Sequence, residues 1–215
     1  MKFLLKSVLV FTLATLALNS LAQQQSITRE IEVGALFTSG NTDEQALNFA
    51  GEYTITEDRW EYGFTLDALY AASNDETTGQ RLYGVAGANY KFSEDSFFLA
   101  RAAHEDDRFN GFDSQSDATF SYGRGFFRGR PDVSLRLDAG IGIRWSRLNG
   151  SDFDEPILRV AGQYEWILSE TATFSQDLAV EYGTDSNIYR SDTGITTQIN
   201  QNLSLRLSIN LKHQT

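Results

Sequence analysis

The stretch Val133–Ser146 reads VSLRLDAGIGIRWS, a strict alternation of apolar and polar positions. Its alternate positions read Val133, Leu135, Leu137, Ala139, Ile141, Ile143 and Trp145 on one side, and Ser134, Arg136, Asp138, Gly140, Gly142, Arg144 and Ser146 on the other. A β-strand turns successive side chains to opposite faces, so this segment has one oily face and one polar face. A helix would scatter both sets around its circumference. The same alternation separates Leu203, Leu205, Leu207, Ile209 and Leu211 from Ser204, Arg206, Ser208, Asn210 and Lys212. Segments of about ten such residues have the length a tilted strand needs to cross a bilayer.

Elsewhere in the chain, Leu47, Phe49, Tyr53 and Ile55 oppose Asn48, Glu52 and Thr54, and Leu158, Val160, Tyr164 and Trp166 oppose Arg159, Gln163 and Glu165. The pattern predicts strands near residues 28–38, 44–55, 60–72, 80–92, 96–106, 115–127, 132–146, 157–167, 172–182, 187–199 and 202–213, the tenth being the least regular. Connections read as short after even strands, at Thr56–Arg59, Ser93–Asp95 and Asn200–Asn202. After odd strands they read as generally longer and more acidic, at Ser73–Thr77, His104–Asp107 and Ser151–Glu155. That is the asymmetry of periplasmic turns and outer loops, and Pro131 and Pro156 are expected in or beside connections. Aromatic residues mark both strand ends: Tyr53, Trp60, Tyr62, Tyr90, Phe92, Phe98, Phe126, Trp166 and Phe174 beside the even turns, Phe37, Tyr70, Trp145 and Tyr182 opposite. Two belts of amphipathic rings suit the two water boundaries of a membrane, whereas a soluble sandwich would expose or crowd these apolar faces.

The expectation is an all-β chain, an antiparallel transmembrane β-barrel with eleven strands visible. Bacterial barrels close with an even number of strands, and an open edge in hydrocarbon leaves backbone groups unpaired, so twelve are expected in the intact protein. Residues 1–22 read as a signal peptide: Lys2 and Lys6, an apolar run from Val8 to Leu18, and small residues up to Ala22. Residues 23–215 are then the barrel domain, placed by export in the outer membrane of a Gram-negative cell.

Removing Lys2 and Lys6 leaves 16 basic against 29 acidic residues, a formal charge of −13 that argues against nucleic acid as a partner. Outer-membrane lipid and lipopolysaccharide are the expected surroundings, with the barrel-assembly machinery as a partner during biogenesis. Cysteine is absent, which removes thiol chemistry and cysteine metal sites. The two histidines, His104 and His213, lie in different predicted strands, and no serine stands at a persuasive spacing from His104. No catalytic residue, metal or cofactor is indicated, and the chain is not read as an enzyme.

The polar face carries the candidate lining: Arg81, Arg101, Arg136, Asp138, Arg144, Arg159, Glu165 and Arg206, with Glu32, Glu52, Asp67, Lys91, Asp177, Glu181 and Lys212 on the same register. Mixed signs permit two outcomes, first a narrow passive channel for ions or small solutes, second a salt-bridged plug in a closed structural or envelope-stress barrel; a lipid-modifying outer-membrane enzyme, which would need His104, ranks third. A twelve-strand barrel stands between filled eight-strand barrels and open porins.

Glu32–Tyr53, EVGALFTSGNTDEQALNFAGEY, with Arg59–Trp60 and His104–Asp113, HEDDRFNGFD, resembles the bacterial family called domain of unknown function 481. Members of that family carry the label salt-induced outer membrane protein. The resemblance runs from about Glu32 to Leu211 and implies an outer-membrane barrel of undefined role, with no catalytic residues to carry over. In SGNTD, Gly40 and Asn41 tolerate positive φ and Asp43 can bond nearby amides, which suits a tight connection. The outer-loop motif is Asp107, Arg108, Phe109, Asn110, Gly111, Phe112 and Asp113. There Arg108 is expected to pair with Asp106, Asp107 or Asp113, with Phe109 and Phe112 folded over the loop.

Overall fold

The computed structural model describes residues 25–38, 44–74, 76–107, 109, 112–127, 129–200 and 203–215. The signal-peptide reading and the SGNTD turn lie outside those residues. Eleven strands follow in chain order: β1 (Gln25–Thr38), β2 (Glu44–Glu57), β3 (Trp60–Ser73), β4 (Glu76–Lys91), β5 (Ser96–Asp107), β6 (Ser114–Phe126), β7 (Val133–Leu148), β8 (Ser151–Ile167), β9 (Ala172–Gly183), β10 (Asn187–Asn200) and β11 (Leu203–Gln214). Each pairs antiparallel with the next in one eleven-stranded sheet. The sheet is all-β and curled into a half-barrel, the form expected from alternation and short connections.

Register makes the two faces continuous. Ile141 of β7 stands between Phe120 of β6 and Leu158 of β8, while Asp138 stands opposite Ala161 and Arg144 opposite Asp117 and Glu155. The burial is inverted relative to a water-soluble core. Leu207, Ile141 and Ile209 are 75%, 71% and 62% exposed on the convex face, while Arg144, Glu155 and Glu181 are each 1% exposed on the concave one. Glycine allows this curl at Gly140 and Gly142, whose missing Cβ atoms would collide with the carbonyl oxygens of Phe120 and Ala118 on the next strand.

Three sequence expectations need correction. First, β8 begins at Ser151 rather than near residue 157, so the acidic segment Ser151–Glu155 and Pro156 lie within the strand. β9 pairs with β8 only from Ile157 onward, so Pro156 sits where β8 has β7 as its one neighbour, an edge position that tolerates a missing N–H. Second, β4 begins at Glu76 rather than near residue 80. Third, the length asymmetry of the connections does not hold. The odd connection after β7 is Asn149–Gly150, with φ of 51° and 76°, a two-residue turn of the kind that matches strand twist. The even connection after β6 is longer, running from residue 127 to 132.

Candidate functional site

Strand alternation sends one polar set inward, and the curl brings side chains from distant strands within hydrogen-bonding reach. Glu105 of β5 is the first hub. Arg81 of β4 donates to it at 2.8 Å, Arg190 of β10 at 2.8 Å, and Lys212 of β11 lies 2.9 Å away. Glu105 and Arg190 stand five strands apart in the sheet order, so their bond spans the interior. Arg190 also lies over the Tyr83 ring, 4.8 Å from its centroid, which ties β10 to β4 as well as to β5.

Arg144 of β7 is the second hub. It donates to Glu155 at 3.1 Å, to Glu181 at 2.8 Å, and to the Ser186 carbonyl and hydroxyl at 3.1 and 3.0 Å. Glu155 in turn accepts from the Asp185 amide at 2.7 Å. Buried charge is costly without such pairing; here Arg144 meets both carboxylates, while one oxygen of Glu181 is buried without a hydrogen-bond partner. Arg101 completes this end, bonded to Asp117 and, at 2.8 Å, to the Tyr83 hydroxyl. The cavity among Tyr83, Glu105, Asp117, Arg144, Glu181 and Arg190 measures about 10 Å³, room for one water molecule.

A third hub, Glu61 of β3, lies toward the even turns. It accepts from Lys91 at 2.9 Å, from Asn89 at 3.0 Å and from Arg136 of β7 at 3.1 Å. Arg136 also caps the Phe97 ring, 4.6 Å from its centroid. Between the ends, Arg159 bonds Asp138 at 2.7 Å and Arg206 bonds Asp192 at 2.6 Å. A cavity of about 260 Å³ opens at the turn end beside Lys91, Phe97, Phe127, Arg130 and Arg136. In the turn itself, two hydrogen bonds from Arg130, at 3.1 and 2.9 Å, hold the Asp132 carboxyl below its ordinary pKa.

Seven of the eight candidate lining residues (Arg81, Arg101, Arg136, Asp138, Arg144, Arg159 and Arg206) therefore enter ion pairs on the inner face. Glu165 shares that face by register and is exposed near the turn after β8. Sequence reasoning missed the acids that complete the network: Glu61, Glu105, Asp117, Glu155 and Asp192, together with Arg190. A usable signal existed, since Glu61 shares the parity of Asp67 in β3, and Glu105 that of Arg101 in β5.

Of the outer-loop motif, Arg108, Asn110 and Gly111 lie outside the described residues, and with them the expected Arg108 pairing. Asp107 accepts from the Phe109 amide at 3.1 Å, and Asp113 accepts from the Gly150 amide at 3.2 Å, tying this loop to the β7–β8 turn. Phe112 packs near Phe153 with centroids 6.1 Å apart, and Phe109 is 53% exposed. The structure also joins a pair that spacing did not reveal: His104 Nδ1 lies 2.8 Å from Ser116 Oγ on the convex face.

Comparison with known proteins places the chain. The family model described as "Protein of unknown function, DUF481" matches residues 31–215. The chain is 27% identical over 188 residues to "Uncharacterized protein YdiY" of Escherichia coli (strain K12), covering 84% of this chain and 71% of that protein. The family match spans most of the chain, and the chain belongs to the DUF481 family.

Proposed function

We propose that this chain is an outer-membrane β-barrel protein whose interior is closed by ion pairs, serving the envelope as a sealed structural element rather than a standing channel. One observation carries the reading: large apolar side chains cover the convex face, while charged side chains are buried on the concave face and bonded to one another across it. In water such an arrangement would expose a broad apolar surface and bury charge, two costs that lipid outside and paired charge inside both remove.

Of the two outcomes open to a mixed-sign lining, the geometry favours the plug. Ions entering from the end of the odd connections would meet Glu105, Arg190 and Lys212 already neutralising one another, around a cavity of about 10 Å³. The proposal includes no catalytic step, and the His104–Ser116 pair is read as a polar contact at the rim.

The test is fractionation of cells expressing the full chain, followed by electrophoresis with and without heating. Recovery with the outer membrane and a heat-dependent change in mobility are expected. Recovery as a soluble, non-heat-modifiable protein would end this reading.

A further inference from the structure

Among the described residues, each arginine of the interior has a carboxylate within 3.1 Å: Arg81, Arg101, Arg136, Arg144, Arg159, Arg190 and Arg206. Turn residue Arg130 and outward-facing Arg147 are likewise closed by Asp132 and Asp152. Arg124 differs. It lies on the convex face of β6 near the even turns, directly across the ladder from Ser96 of β5. Its guanidinium sits 5.9 Å from the Phe126 ring centroid, and no acid meets it among the described residues.

Ser96 and Tyr122 share the convex face with Arg124, Ser96 opposite it in the ladder and Tyr122 two residues before it in β6. Ser96 Oγ and Tyr122 Oη lie 3.2 Å apart, and Ser93 Oγ accepts from the Ser96 amide at 3.0 Å, fixing the turn. Beneath them Phe98 stacks on Phe92 at 4.9 Å and on Phe120 at 5.6 Å, continuing the convex apolar surface toward mid-strand. An unpaired guanidinium with two hydroxyls suits a phosphate, and the adjoining flat rings suit acyl chains. The same end carries Arg29 over the Tyr53 ring at 5.3 Å, again without an acid among the described residues. At the opposite end the outward-facing arginine, Arg147, is closed by Asp152 at 2.7 Å. Arg29 and Arg124 at the even-turn end thus face outward with rings beside them, whereas Arg147 at the other end is held by a carboxylate.

We propose that Arg124, with Ser96 and Tyr122, forms a headgroup site on the convex face for the phosphate of a glycerophospholipid. This rests on the membrane reading above. The guanidinium holds the phosphate, the two hydroxyls donate to its remaining oxygens, and the Phe92–Phe98–Phe120 stack receives the acyl chains.

The experiment is native mass spectrometry of the folded full chain released from a maltoside detergent after titration with dioleoylphosphatidylglycerol. Wild type should retain one lipid. Arg124→Gln should weaken retention by about ten-fold, the loss of one charge-assisted hydrogen-bonding group, and Arg124→Lys should fall between. Arg147→Gln, on the same face at the other end, should behave as wild type. Equal retention by Arg124→Gln and wild type, or equal retention of dioleoylglycerol, which has no phosphate, overturns the proposal. So does displacement of the lipid by inorganic phosphate at equal concentration, because the site would then read the free anion. A heat-modifiable barrel that retains no lipid sinks this inference alone, whereas a chain missing from the outer-membrane fraction sinks the reading beneath it.

Discussion

Arg190 of β10 reaches across the interior to Glu105 of β5, 2.8 Å away, joining walls that stand five strands apart in the sheet. Arg81 and Lys212 close on the same carboxylate, so one acid holds three cations from β4, β10 and β11. Removing that acid leaves three cations facing one another in a poorly hydrated space. Glu105→Gln should destabilise the fold by about 3 kcal/mol, read as a lower urea midpoint in detergent or lipid. An unchanged midpoint would show that the interior is wet enough to hydrate all three.

Arg144 offers a cleaner separation of pairing from packing, because it is 1% exposed between two carboxylates. Arg144→Met should cost about 3–5 kcal/mol by stranding Glu155 and Glu181. Adding Glu155→Gln and Glu181→Gln should recover part of that loss, since the stranded charge rather than the missing volume dominates. A strictly additive triple variant would mean the three residues act independently.

The convex face is tested by a charge at its centre. Ile141 is 71% exposed, and Ile141→Arg on a water-facing surface should change stability by no more than about 0.5 kcal/mol. At the middle of a lipid-facing barrel wall the same change should cost about 2–4 kcal/mol. Urea titration in phospholipid vesicles distinguishes the two, and the larger value is expected.

Curvature should be as sensitive as charge. A Cβ at Gly142 would run into the Ala118 carbonyl, whereas one at Gly63 meets nothing within 4 Å. Gly142→Ala should therefore cost about 1–3 kcal/mol by forcing the β6 and β7 backbones apart, with Gly63→Ala as the neutral control. Equal effects would mean that the sheet opens freely at β7.

The sequence makes the strands legible because period two is a local property. Val133–Ser146 sorts its side chains without knowledge of any neighbour, and β7 and β11 lie where their patterns put them. Misreadings arose where local composition imitates a loop. Ser151–Pro156 holds three acids and a proline, yet the tight Asn149–Gly150 turn keeps it in the ladder with β7. The ion-pair partners were hidden for a different reason: Arg190 and Glu105 are 85 positions apart, and only the curl of the whole sheet brings them together. His104 and Ser116 meet because the β5–β6 register places them opposite each other, and spacing of 12 carries no meaning until that register is known.

The closure of the interior is best judged by planar-bilayer conductance of the purified, heat-modifiable full chain. Wild type should insert without discrete current steps, and Glu105→Ala with Arg144→Ala should introduce them by releasing the ties between β5, β7, β10 and β11. Reproducible steps from the wild-type protein would show instead that the paired charges line an open path, and that the chain is a channel after all.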